Sequence, residues 1–559
     1  MCGIIFIVDK NGIDKKKALN SLKFLKKRGP DYEHYDIIDN IFIGQTTLEI
    51  SGKYHRDNFI SKSKKFIISF NGEIYNSNLK NDTKYLVDLF DKMPFKNIIN
   101  TLDGMYCFSV FNHEKNELFL ARDMIGEKNM YYYQNSDLLI ISSEILPIVL
   151  YLNQLDIDWD EIKNYYLTRH FLMFDRTIVK NIKCFLPGEH MIYDISTLKT
   201  KYHNIKNITS LITKKKQDEL SSKTDSELNK ILNNLFDSVC QDMIPSVKFG
   251  CIISGGIDSS LSTALISKQK KPDLCVCCYC DNKDYVATKN MKIFEKSLNR
   301  PIEVININEK MWANNIVECQ MAFLSPIITH SAVNYSIMSK YVSDKNIKVL
   351  FSGDGADELF GGYDCYLSNS QEYSLYCPSN YSKLYDLKIK FLKNINNKLN
   401  KNLSDTWEYS KKFYKNISDS SLLCDSLTML PDIGCRTTDT MGSMHGIEIR
   451  NIYYRKKILE FILNCPINKK IDFEKKITKK LLKSAYLNFF DKSTIIKKQG
   501  FTGYPNESFN LVDITFPHTT TMLEIVDYDK NDRDLMWKMI NTEIFLEYTI
   551  KKIKTKIKF

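Results

Sequence analysis

The sequence predicts two domains of different class. Residues 1–195 are expected to form an α+β domain, a four-layer sandwich of two β-sheets with flanking helices. Residues 223–559 are expected to form an α/β domain, a doubly wound parallel sheet with a mostly helical carboxyl-terminal part, and 196–222 a linker. Three observations predict this. Short apolar runs between turn residues crowd the first part of the chain. From Ser226 apolar runs alternate with helical patterns, the order of a parallel sheet. Two of those runs end in glycine-rich loops, where doubly wound sheets hold their ligands.

In the first domain, 66–70, 105–111, 117–121 and 138–142 read as strands, with helical patterns at 15–27 and 84–92. Residues 196–222 lose periodicity and turn Lys/Ser/Thr-rich, which marks the linker. Leu228, Ile231, Leu232, Leu235 and Val239 then follow helical spacing. Strand 249–253 leads into a helix from 257, strand 274–280 into a helix near 286–298, and strand 302–307 into further helices. Strand 347–351 closes the series, and 365–559 reads as helical, with an amphipathic pattern over 534–553.

A chain of 559 residues is too long for one core. The nearest apolar span, 138–152, is interrupted by Glu144 and Pro147, so a soluble, cytoplasmic protein with no membrane partner is expected. The fifteen cysteines show no disulfide framework. Cys275, Cys277, Cys278 and Cys280 share an apolar strand whose neighbours face opposite sides, so they cannot converge on one metal. The net charge of +11 is diffuse except for the tail 551–559. That tail lacks stacking aromatics and is expected to be a solvated, frayed end, with no nucleic-acid partner.

The strand ending at Ile253 runs into Ser254-Gly255-Gly256 and then a helix. A helix start reached through glycines aims free N–H groups and the positive dipole end at an anion. Ser254, Ser259 and Ser260 add hydroxyls, and Asp258 could hold magnesium. The Walker spacing and its lysine are absent. On spacing alone, a phosphate loop and an ordinary strand-turn-helix both fit.

Ser254-Gly-Gly-Ile-Asp-Ser-Ser260 resembles the pyrophosphate loop of ATP pyrophosphatases. Together with Ser352-Gly-Asp-Gly-Ala-Asp-Glu-Leu-Phe-Gly-Gly-Tyr363 and Met1-Cys2-Gly3-Ile4, it resembles glutamine-dependent asparagine synthetases over nearly the whole chain. That resemblance implies a class II glutaminase domain followed by a synthetase domain of the ATP-pyrophosphatase type. Glutamine, aspartate and ATP are the implied substrates, Mg2+ the cofactor, and a homodimer a candidate assembly.

Cys2, exposed by loss of Met1, would carry a thiol and an α-amine on one residue, a nucleophile with its own base. Asn71-Gly72-Glu73 resembles the family motif whose Asn side chain and Gly N–H stabilise the oxyanion. Ile50, Asn71, Gly72, Glu73 and Asp82 would bind glutamine, Asp82 through its α-ammonium group. Arg28-Gly-Pro-Asp31, Arg122-Asp123 and Ser143-Glu144 match further landmarks. The family arginine that grips the glutamine carboxylate is replaced by Thr47, with Arg56 the nearby candidate substitute. Loss of that clamp costs about 1.5–3 kcal/mol, or one to two decades in affinity.

In the second domain the resemblance puts ATP on Ile252, Ser254, Gly255, Gly256, Asp258, Ser259, Ser260, Tyr279, Ser352 and Gly353. Asp258 and Asp357 would hold the metal. Asp354, where the family usually has glutamate, and Lys479 are the implied catalytic residues. The implied reaction adenylates aspartate to β-aspartyl-AMP, which ammonia then attacks. His330 and Asn451-Ile-Tyr-Tyr-Arg455, in place of Val-Pro-Phe-Leu-Asp after Glu448-Ile-Arg450, depart from the pattern and bear on the acceptor. Another carboxylate as acceptor, an ammonia-only synthetase and a non-catalytic nucleotide-binding scaffold are the alternative readings.

Overall fold

The computed structural model describes residues 1–77, 81–168, 175–280, 290–327, 329–367, 405–496, 517–522 and 533–557. The amino-terminal strands are β1 (Cys2–Asp9), β2 (Tyr32–Ile38), β3 (Ile41–Thr47), β4 (Phe66–Ile74), β5 (Gly104–Asn112), β6 (Glu117–Arg122), β7 (Tyr131–Gln134), β8 (Leu138–Ser142), β9 (Ile182–Cys184), β10 (Glu189–Asp194) and β11 (Lys199–Ile205). They form two antiparallel sheets, in the orders β2-β3-β1-β8-β7-β9 and β11-β10-β6-β5-β4. Period-2 alternation builds the layers. Ile4, Phe6 and Val8 of β1 meet Leu118, Leu120 and Met191 of the other sheet. Ile5 and Ile7 face the helices Lys15–Phe24 and Ile145–Leu152. The opposite sheet buries Ile68 and Phe70 under the helices Asp82–Leu89 and Phe95–Thr101. The expected four-layer sandwich is what forms.

Two expectations about chain ends are corrected. The stretch 196–222 is not a structureless linker. Residues 199–205 pair as edge strand β11 against β10, and 214–221 form a helix whose Leu220 joins the carboxyl-terminal core. The tail is not frayed through 557 either. Helix Ile550–Ile557 buries Ile550 and Ile553 in a core shared with Ala18 and Ile145 of the first domain.

The second domain holds β12 (Phe249–Ile252), β13 (Leu274–Cys280), β14 (Ile302–Ile307), β15 (Val349–Ser352) and β16 (Glu448–Asn451). They run parallel in the order β14-β13-β12-β15-β16. The order reverses between β12 and β15, and both glycine-rich loops leave the carboxyl ends of those two strands, at the switch point. β16 extends the series past the expected last strand, inside a region read as helical. The cysteines of β13 are buried strand residues. No helix among the described residues is long and apolar enough to cross a membrane.

Candidate active sites

Cys2 opens β1 and is 5% exposed. Its amide, which stands where removal of Met1 would leave a free amine, donates to Asn71 Oδ1 at 2.8 Å, and its carbonyl accepts from Arg28 Nε at 2.9 Å. Asn71 and Gly72 lie in β4 opposite Cys107 and Tyr106. Gly72 has φ +146°, and a Cβ there would come within 2.0 Å of Met105 O, so only glycine brings this strand so close. Burial raises the Cys2 thiol pKa against the lowering pull of the Met1 ammonium. That ammonium pairs with Glu448 of the second domain at 3.1 Å.

Ile50, Glu73 and Asp82 line a cavity of about 500 Å³ beside Cys2's strand. Asp82 accepts from the Ile74 amide at 3.2 Å and the Tyr54 hydroxyl at 3.4 Å. Burial, and then the charge of Glu73, push its pKa well above the usual carboxylate range. Glu73 pairs with Arg450 at 2.9 Å. Thr47 is fully buried and accepts from Gln45 Nε2 at 3.2 Å. Arg56 does not replace the family arginine: its side chain is 64% exposed and pairs with Asp36 on the surface. The one cation among the described lining residues is Arg450, supplied by the other domain.

Ser254, Asp258 and Ser259 from the first loop and Ser352, Gly353, Asp354, Asp357 and Glu358 from the second line one cavity of about 260 Å³, with Ile252 on its wall. The loops lock together at Gly353, where a Cβ would sit 2.5 Å from Ser259 N. Within the first loop, Ser254 N–H donates to Ser259 Oγ at 2.9 Å and the two hydroxyls lie 2.8 Å apart. Gly256 caps the helix Ile257–Gln269, whose free N–H groups therefore start at the loop. Asp354 accepts from Tyr335 Oη at 2.7 Å and Ser352 Oγ at 2.5 Å.

Lys479 is 4% exposed, in a Lys-rich run that reads as surface. Its Nζ stands 2.5 Å from Asp258 Oδ2 and 2.5 Å from Asp357 Oδ1. The two carboxylates expected to bind metal thus converge on a cationic centre. No cluster of three or more His, Cys, Asp or Glu able to hold a metal is found among the described residues. A donor set of two carboxylates suits magnesium, which keeps waters and phosphate oxygens as its other ligands.

Gly255, Gly256, Ser260, Tyr279 and Lys479 are not among the residues lining that cavity. Ser260 is buried behind the loop at 0% exposure, and Tyr279 lies on β13. His330 stacks on Trp537 with ring centroids 4.0 Å apart, while its neighbour Ser331 lines the cavity. Sequence reasoning missed Tyr335, Thr437 and Thr438 on the wall; their helices carry no motif that would have singled them out. It also missed the role of the segment after β16. There Tyr453 Oη donates to Asp258 O at 2.9 Å, and Arg455 pairs with Glu127 of the first domain.

Residues 1–204 match the family described as glutamine amidotransferase domain, and residues 230–510 the family described as asparagine synthase. A probable glutamine-hydrolysing asparagine synthetase of Acanthamoeba polyphaga mimivirus is 28% identical over 408 residues, 67% of this chain and 70% of that protein. Glutamine-hydrolysing asparagine synthetase 1 of Bacillus subtilis is 25% identical over 399 residues, 66% of this chain but only 59% of that protein. The human glutamine-hydrolysing asparagine synthetase is 24% identical over 400 residues, 65% and 67% of the two chains. With a match that spans about half of its 559 residues, behind an amino-terminal glutamine amidotransferase domain, the chain belongs to the asparagine synthase family.

Proposed function

We propose that the chain is a cytoplasmic, glutamine-hydrolysing asparagine synthetase that forms asparagine from aspartate, ATP and glutamine. The observation that carries this reading is the segment Glu448–Tyr454. Arg450 at its start pairs with Glu73 beside Cys2, and Tyr453 near its end bonds the backbone of Asp258 in the nucleotide cavity. One short stretch thus touches both stations of a two-step amide transfer.

In the first station Cys2, freed of Met1, attacks the glutamine amide. Asn71 and the Gly72 N–H stabilise the oxyanion, and Asp82 and Glu73 hold the α-ammonium group. In the second, an aspartate carboxylate oxygen attacks the α-phosphorus of ATP and pyrophosphate leaves, so that AMP becomes a good leaving group. Ammonia then adds to the acyl carbon and AMP departs, giving the amide. Ser254, Ser259 and the helix start behind Gly256 bind the pyrophosphate. Lys479 neutralises charge that develops on the phosphates. Asp258 and Asp357 would hold Mg2+, which supplies further neutralisation of phosphate charge. Asp354 positions the acceptor through its bonds to Tyr335 and Ser352.

A second reading, amidation of another carboxylate, is favoured by His330 packing on Trp537 at the position where some synthetases carry an acceptor arginine. Incubation with aspartate, ATP and glutamine labelled with nitrogen-15 on the amide separates the two. Labelled asparagine is expected; pyrophosphate release only with other carboxylates would replace aspartate as the acceptor.

A further inference from the structure

Tyr454 is 2% exposed, and its hydroxyl has no hydrogen-bond partner. An unpaired buried hydroxyl costs about 1–3 kcal/mol, which phenylalanine would avoid at the same volume. The placement of this side chain is specific. A Cβ on Gly355 would lie 2.0 Å from Tyr454 Cε1 and 2.7 Å from its Oη, and a Cβ on Gly434 would lie 3.3 Å from the same Oη. Both glycines line the nucleotide cavity. On its other side Tyr454 lines a narrow cleft with Asp103, Tyr106, Asp123 and Glu127 of the glutaminase domain. One residue therefore separates the cavity from the face through which nitrogen must arrive. The motif that this segment resembles has leucine at that position.

We infer that Tyr454 is a ligand-contacting residue whose hydroxyl donates a hydrogen bond to the carboxyl oxygen of the acyl acceptor. The inference rests on the reading of the cavity as an ATP site. Phosphate oxygens already have the donors of Ser254–Ser259, whereas the acyl carbon has to face the glutaminase side, where Tyr454 stands. Burial, reinforced by the nearby Cys435, Asp354 and Glu358, raises its pKa well above that of a free phenol. The group is therefore a neutral donor at every working pH, and it transfers no proton.

The test is Tyr454→Phe in the full-length protein, assayed by pyrophosphate release with ATP, magnesium, aspartate and saturating ammonium. A lost hydrogen bond to a charged oxygen corresponds to a fall of about ten- to hundred-fold in kcat/KM for aspartate. KM for ATP is expected to stay within about twofold and Tm to stay level or rise, because the variant loses only an unpaired hydroxyl. Opposite signs on stability and activity are what a packing role cannot produce. Unchanged kinetics for aspartate, a shift confined to ATP, or a lower Tm with uniform loss would each overturn the inference. Wild-type protein that releases no pyrophosphate would overturn the functional reading and the inference with it; an active wild type with an unaffected variant overturns the inference alone.

Discussion

Arg28 of the amino-terminal domain and Asp439 of the carboxyl-terminal domain meet at 2.9 Å, with side-chain exposures of 1% and 0%. Lys128 approaches the same carboxylate at 3.5 Å, and Glu144 takes another Arg28 nitrogen at 3.2 Å. Two charged domains are thus joined through a dry ionic cluster that neither can satisfy alone.

Asp439→Asn removes the shared counter-charge and leaves two buried cations, a loss of about 3–5 kcal/mol. Burial works to raise the Asp439 pKa, but Arg28 and then Lys128 outweigh it, so the folded value lies below the usual one. The contribution is therefore present above the unfolded pKa of about 3.9 and is lost as pH falls through the lower folded value. Thermal melts of wild type and variant should differ most near neutral pH and converge in acid. An equal gap at both ends would contradict an ionic origin.

Cys2→Ala should abolish glutamine-dependent synthesis and leave ammonium-dependent synthesis intact. Parallel loss of both would mean that the two domains do not divide the chemistry. Intact mass of the purified protein belongs with this test. The Met1 ammonium and Arg450 hold Glu448 at a pKa of about 2 against the effect of burial, so a chain that keeps Met1 keeps its amine in the domain interface. Only the chain without Met1 should hydrolyse glutamine.

Asp258→Ala leaves Lys479 with one of its two carboxylate partners and the phosphate loop without its acid. Synthesis from either nitrogen source should fall by about two to three decades, the usual loss when a charge-stabilising group is removed. Retained activity with ammonium would show that the Ser254–Ser260 loop has another task.

Much of this was legible before the structure. Cys2, Asn71 and Gly72 meet because each lies on a strand whose apolar alternation is plain, and both phosphate loops follow strands read at nearly their observed limits. The exceptions have physical causes. Edge strand β11 is exposed along its length, so no buried face imposes alternation on its sequence. β16 carries Glu448, Arg450 and Asn451, all buried, and charges in a strand break the apolar pattern that marks one. Lys479 sits among lysines, and only its left-handed backbone, φ +51°, at the start of the helix Lys480–Tyr486 distinguishes it. Asp439 lies in no motif; its partner Arg28 does.

Asp425 offers a pH test independent of catalysis. Burial raises its pKa to about 8 despite the hydrogen bond from Tyr366. A carboxyl with a raised folded pKa favours folding less and less as pH climbs from its unfolded value toward the folded one. Asp425→Asn escapes that loss, so its Tm should match wild type near pH 4 and exceed it by a growing margin up to about pH 8. A variant less stable at pH 8 would mean that the carboxylate is charged and paired.

The most direct measurement is pyrophosphate release with ATP, magnesium and aspartate, run in parallel with glutamine and with ammonium. Turnover with both is the expected result, with glutamate formed in step with pyrophosphate when glutamine is the donor. A high KM for glutamine is expected from Thr47 and would be tolerated. A folded, ATP-binding protein that releases pyrophosphate with neither nitrogen source would contradict the two-station synthetase.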